Sequence, residues 1–119
     1  MKLIDAADLD YKDLNKKIRQ SDEDCTIDRC CGQRFIGTGI SGKTLTINGI
    51  PGNALGAYLN DALITVNANA QDVVGDTMNE GKILIHGNVG NFPCTILSNP
   101  FTVITPDSNN PYKQMYVAN

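Results

Sequence analysis

The sequence predicts a mainly β fold: a single-stranded parallel β-helix of about three 19-residue coils, preceded by one short N-terminal helix. Three observations predict it. Gly37, Gly56 and Gly75 stand nineteen residues apart, and aliphatic residues recur in the same register at Leu45/Ile64/Ile83 and Ile47/Val66/Ile85. The residue before each glycine is Ile36, Leu55 or Val74, the third after it Ile40, Leu59 or Met78, and the twelfth small each time, at Gly49, Ala68 and Gly87. Within each copy the aliphatics alternate with an outward slot, filled by Thr46, Thr65 and then the apolar Leu84. Period two marks a strand with one buried face. One short strand cannot bury that face alone, but stacked copies place equivalent side chains about 4.8 Å apart in columns.

The chain divides into a helical segment (1–24), the coils (25–91) and a divergent tail (92–119), all within a single domain. Residues 10–20 read as a helix, with Tyr11, Leu14 and Ile18 on one face. Asp8 or Asp10 caps its start, Asp13 leads Lys17 by four positions, and Lys16, Lys17 and Arg19 suit its C-terminal dipole. Ser21 to Asp24 form a turn, and Cys25, Thr26 and Ile27 a short strand leading into the repeats. Polar turn positions recur at Asn48/Asn67/His86 and Asn53/Asp72/Asn91, where stacked amides can bond along the stack. Beyond Val89 the pattern degrades. Pro93 falls on an aliphatic position and Cys94 on the glycine, while Leu97 and Ile104 keep theirs, which gives a degraded fourth coil with a strand at 101–105.

Composition narrows the function classes. The net charge is −3, so no overall basic field draws nucleic acid. Aromatic residues make up 6% with no tryptophan, which leaves few platforms for bases. No apolar run is long enough to span a membrane, and the acid-broken N-terminus is no signal peptide, so a cytoplasmic protein with reduced cysteines is expected. Residues 1–30 hold 8 of the 13 acids and 6 of the 10 bases, which marks a solvated first segment ahead of a weakly charged body.

The sharpest motif is Gly37-Thr38-Gly39-Ile40-Ser41-Gly42-Lys43-Thr44, which satisfies the phosphate-loop pattern letter for letter. A working phosphate loop opens a helix whose N-terminal amides meet the phosphates. Here Leu45-Thr46-Ile47-Asn48-Gly49-Ile50-Pro51-Gly52 follows, and its alternation, glycines and proline argue for a strand. A nucleotide binder through 37–44 is therefore the lesser alternative. Cys25, Cys30 and Cys31 lack paired zinc-ligand spacing, and adjacent Cys30 and Cys31 point to opposite faces of a strand, so buried free thiols are expected rather than a metal site. His86, the sole histidine, takes a turn slot, and Asp72 and Asp76 sit in turns that favour aspartate anyway. No catalytic, cofactor-binding or metal-ligating residue is assigned, and no cofactor is expected.

Several stretches resemble a known family. They are Asp28-Arg29, Gly32-Gln33-Arg34-Phe35-Ile36-Gly37, Gly49-Ile50-Pro51-Gly52-Asn53-Ala54-Leu55-Gly56-Ala57-Tyr58-Leu59, Asn69-Ala70-Gln71-Asp72-Val73-Val74-Gly75 and Gly81-Lys82-Ile83-Leu84-Ile85. Together they resemble the GXGXG domain of the glutamate synthase large chain, which also occurs as a stand-alone archaeal-type protein and within formylmethanofuran dehydrogenase. The resemblance implies a right-handed parallel β-helix with no catalytic residue, which packs between glutaminase and synthase parts and helps hold their relative position. The expected function is a structural domain or accessory subunit of a glutamate synthase-like enzyme. Its expected partners are glutaminase and synthase chains, not nucleic acid or membrane. An orphan structural oligomer without an enzyme partner is the other alternative. An open last coil, with Met78, Ile83 and Ile85 at its end, also predicts self-association there.

Overall fold

The computed structural model describes residues 1–77, 80–87, 102–104 and 116–117. Its elements are β1 (Lys2–Asp5), α1 (Tyr11–Gln20), β2 (Cys25–Cys31), β3 (Thr44–Ile50), β4 (Asn60–Val66), β5 (Glu80–Ile85), β6 (Thr102–Ile104) and β7 (Tyr116–Val117). They form one sheet in chain order. Every pairing from β1 to β6 is parallel, and β7 closes the series antiparallel to β6.

This corrects the expected β-helix of about three coils. Among the described residues all strands lie in one open sheet with a single helix, and the described segments between strands build no further β walls. The physical reason lies in those segments. Phe35, Gly37 and Gly39 all take positive φ, as do Ala54, Gly56 and Tyr58, and Val73, Gly75 and Thr77. Three left-handed residues in five cannot run as a strand. Short turn bonds form instead, from Ile40 N–H to Gly37 O and from Leu59 N–H to Gly56 O. Buried Ile36, Leu55 and Val74, read from the sequence as part of a coil wall, sit in these turns. The sheet also begins earlier than expected, because β1 precedes the helix in a stretch read as solvated.

Register follows from the alternation. Leu45 pairs with Ile64 and Ile64 with Ile83, while Ile47 pairs with Val66 and Val66 with Ile85. All six are fully buried. The second column extends backward through Ile27 to Ile4, and the first to Cys25, so the core runs beneath β1 to β5. Two bulges keep the columns aligned where the spacing is uneven. Between β2 and β3 the offset changes from that of Cys25↔Leu45 to that of Cys30↔Gly49, and Arg29, at φ 56°, is the extra residue. Between β4 and β5 it changes between Asn60↔Glu80 and Ala62↔Gly81, with Asp61 at φ 63°. A left-handed residue absorbs one extra position without flipping the faces that follow.

Helix α1 starts at Asp10, whose carboxylate accepts from the Asp13 N–H at 2.8 Å. Leu14, Asn15 and Ile18 form its buried face. A bidentate pair from Arg29 to Asp5 ties β2 to β1, with Nε donating to Oδ1 at 2.9 Å. The edge of β5, expected to be open, is occupied by β6 through Ile83↔Val103 and its neighbours. Met78, Asn91, Phe92, Pro93, Cys94, Leu97 and the loop at 106–111 lie outside the described residues.

Substituting Ile64 with aspartate should abolish cooperative folding. It would strand a carboxylate in the central column, at a cost of several kcal/mol that rivals the whole stability of a small domain. Thr65→Asp, on the opposite and half-exposed face, should cost less than about 1 kcal/mol. Urea titration followed by circular dichroism separates the two, and equal losses would show that the faces are misassigned.

Candidate functional site

Three polar side chains lock α1 and the segment just ahead of it to the turns beneath. Asn15 accepts the Gly37 N–H on its Oδ1 at 3.0 Å and donates from Nδ2 to the Tyr11 carbonyl at 2.9 Å. Gln33, also buried, donates from Nε2 to the carbonyls of Ala6 and Leu9 at 2.8 and 2.9 Å, and accepts the Cys31 N–H on Oε1 at 2.8 Å. Lys43 donates from Nζ to the Ile18 carbonyl at 2.7 Å, satisfying an acceptor in the last turn of α1.

The last contact decides the fate of the phosphate-loop motif. Its lysine is spent on a helix C-terminus, Thr44 N–H donates to Asp24 Oδ1 at 2.9 Å, and Thr44 opens β3 rather than a helix. The stretch 37–44 is a turn of the β framework. Gly37 takes a φ of 76°, and a Cβ there would press on the flexible end of Ile64, with Cδ1 at 3.0 Å, so backbone conformation more than packing favours glycine. Gly56 is tighter, with Ile83 Cδ1 at 2.6 Å from the same point.

The remaining sequence candidates separate. Gly37, Gly56 and Gly75 lie in adjacent turns, where the Gly56 N–H donates to Ile36 O and the Gly75 N–H to Leu55 O, both at 2.8 Å. Cys25 and Cys30 are buried and Cys31 is exposed. Burial pushes the Cys30 thiol up to about 11, so it is protonated at neutral pH and is a poor ligand or nucleophile. Among the described residues no three His, Cys, Asp or Glu side chains gather as metal ligands. Asn48 Nδ2 donates to Asp28 Oδ1 at 2.7 Å, and Asn67 Nδ2 to Asn48 Oδ1 at 2.8 Å. His86 follows in that register, exposed, with its N–H on Val66 O. The backbone carbonyls of Asp72 and Asp76 accept from Ala54 and Tyr58 of the preceding turn, and the Asp76 carboxylate accepts from Thr77 Oγ1 at 3.1 Å.

Sequence reasoning missed a groove between α1 and the first turn. Its volume is about 460 Å³, and its lining is predominantly apolar. The rings of Tyr11 and Phe35 meet there at 5.8 Å, tilted by 55°. Arg34 places its guanidinium 4.4 Å from the Tyr11 ring centre and 5.7 Å from that of Phe35. The Arg34 guanidinium beside it lowers the Tyr11 phenol's pKa from the ordinary value. Lys12, Lys16 and Arg19 complete a basic rim, with Asp13 as the carboxylate among them. The available signal was the row of bases at Lys12, Lys16 and Arg19 on the helix face opposite Leu14 and Ile18.

This arrangement defines a protein whose internal polar groups serve the framework and whose distinctive chemistry lies on its surface. The GXGXG motif family matches residues 12–96, and the chain belongs to that family. A similar curated protein is an uncharacterized protein of Methanocaldococcus jannaschii, 39% identical over 84 residues, covering 64% of this chain and 32% of the relative. The chain thus spans about a third of that relative's length. No solved structure matches. Among the described residues no helix is long and apolar enough to cross a membrane.

Asn15→Ala should destabilise the fold by about 2 kcal/mol, since it leaves the buried Gly37 N–H without an acceptor. Lys43→Met should cost about 1 kcal/mol, by loss of the half-exposed carbonyl contact. Denaturant titration gives both values, and calorimetry with ATP or GTP should show no binding to either the parent or Lys43→Met. Thiol labelling at pH 8 should lose a fast phase in Cys31→Ser and keep it in Cys30→Ser.

Proposed function

We propose that this chain is a non-catalytic structural domain or subunit of a glutamate synthase-like enzyme. The observation that carries the reading is the family match over residues 12–96, taken with how the polar side chains are used. Asn15, Gln33 and Lys43 each hold a backbone group in place, and no buried side-chain nitrogen or oxygen among the described residues lacks a partner. Groups committed in this way support rigidity, and a rigid body is what positioning two enzyme parts requires.

The test is co-expression with the glutaminase-like and flavin-dependent synthase chains of the same genome. The chain should co-elute with them in a fixed ratio. Glutamine-dependent glutamate formation should fall at least tenfold when it is omitted, while Lys43→Ala leaves turnover within twofold of the parent. Elution apart from both chains, or turnover by this chain alone, would refute the proposal.

A further inference from the structure

We propose that the groove between α1 and the turn at Phe35 docks a segment of another protein that carries an apolar side chain flanked by carboxylates. The inference does not depend on the identity of any enzyme partner. It starts from a charge contrast. The chain as a whole is acidic, at −3, yet Lys12, Lys16 and Arg19 line this groove with Asp13 as its one carboxylate, and Arg34 stands at its edge against the Tyr11 and Phe35 rings. The ion pairs formed among the described residues are Met1 with Glu23 and Arg29 with Asp5, so none of the four cations is neutralised in that way.

The floor between them is apolar. Phe35 is 40% exposed and holds a positive φ of 58°, a conformation that bulky residues rarely take. Equivalent turns place Ala54 and Val73 at nearly the same φ, so the backbone does not call for a phenyl ring at this site. Arg34 lies 4.4 Å from the Tyr11 ring centre, and its fork suits a planar carboxylate. An apolar side chain entering between Tyr11 and Phe35, with acids meeting the rim, satisfies both features at once.

Two other occupants fit less well. A nucleic acid would bring a run of phosphates past Asp13 and gain little from a short apolar slot. In a second copy of this chain the exposed Met1 lies beside the acidic turn of Asp22 to Asp24, but its own ammonium pairs with Glu23 at 2.9 Å and would meet the basic rim.

The probe is the acetylated, amidated octapeptide Glu-Asp-Glu-Leu-Phe-Glu-Asp-Glu, titrated by NMR and calorimetry into the full chain. Controls are the same peptide with lysine for every acid, the acidic peptide with Ala-Ala at its centre, a polyuridine oligonucleotide, and vesicles rich in phosphatidylserine. Saturable binding of the first peptide alone is expected, with shifts at Phe35, Thr38 and Lys16. The double substitution Lys16→Glu and Arg34→Glu should weaken it at least tenfold. Phe35→Gly should also weaken it at least tenfold while the melting temperature holds or rises, since glycine relieves the left-handed backbone. The proposal fails if no peptide binds, if the lysine peptide, the Ala-Ala peptide, RNA or vesicles bind as tightly, or if sedimentation shows a dimer that covers the groove. It fails too if Phe35→Gly lowers the melting temperature by more than about 5 °C, because the ring would then belong to the core.

Discussion

From β2 to β5 the chain passes from one strand to the next through turns whose N–H groups need acceptors, and the nearest carbonyls belong to the neighbouring turns. Phe35 donates forward to Asn53 O and Gly39 to Ala57 O; Gly56 donates back to Ile36 O and Asn60 to Ile40 O. Ala54, Tyr58 and Gly75 repeat these roles one turn later. Bonds running alternately forward and back require the peptide planes to reverse within a few residues, and left-handed residues do that. Each non-glycine held there costs on the order of 1 kcal/mol, which a buried N–H left unpaired would match or exceed. The left-handed Ala54, Tyr58, Val73 and Thr77 are therefore consequences of the stacking, not defects in it.

The same constraint explains why the helix is tied down by polar side chains. A sheet edge can be covered by another strand, but the first turn of the series has no earlier turn to bond with. Gly37 N–H, whose counterparts Gly56 and Gly75 donate to a preceding turn, instead finds Asn15 on α1. Gln33 likewise joins the start of that turn to the carbonyls of Ala6 and Leu9, ahead of the helix. Helix α1 thus stands in for a missing turn, and its polar residues serve the backbone beneath it. Lys43 then fixes the other end of the helix, which sets the tilt of its exposed face.

Much of this was legible in the sequence where the pattern is a matter of spacing. The helix read at 10–20 forms as Tyr11–Gln20, capped by one of the two aspartates considered, Asp10. Strand alternation located β3, β4 and β5, because period two depends on side-chain direction alone. The step from recurring strands to a β-helix failed because a column of buried aliphatics says nothing about backbone conformation. Ile36, Leu55 and Val74 are as well buried in left-handed turns as they would be in strands. β1 was hidden because a short edge strand with one inward residue, Ile4, lacks a period to detect. The roles of Asn15, Gln33 and Lys43 were illegible for a different reason. Each reaches a backbone atom more than twenty residues away, and such a contact leaves no local signature.

Comparing equivalent positions within the chain separates what the fold requires from what it merely allows. Phe35, Ala54 and Val73 share one backbone conformation and one place in their turns, and differ only in side chain. Ala54 is buried and Val73 half-buried, while Phe35 projects beside Tyr11 and Arg34. The difference is that the turn at Phe35 faces a helix, whereas the turn at Ala54 lies between two others of its kind. A small side chain is dictated where turns stack on both sides, and the restriction lifts at the end of the stack. Sequence at that end is therefore free to serve recognition without disturbing the hydrogen bonding that holds the rest together. The surface most open to specialisation is the one where the series of turns stops and α1 takes its place.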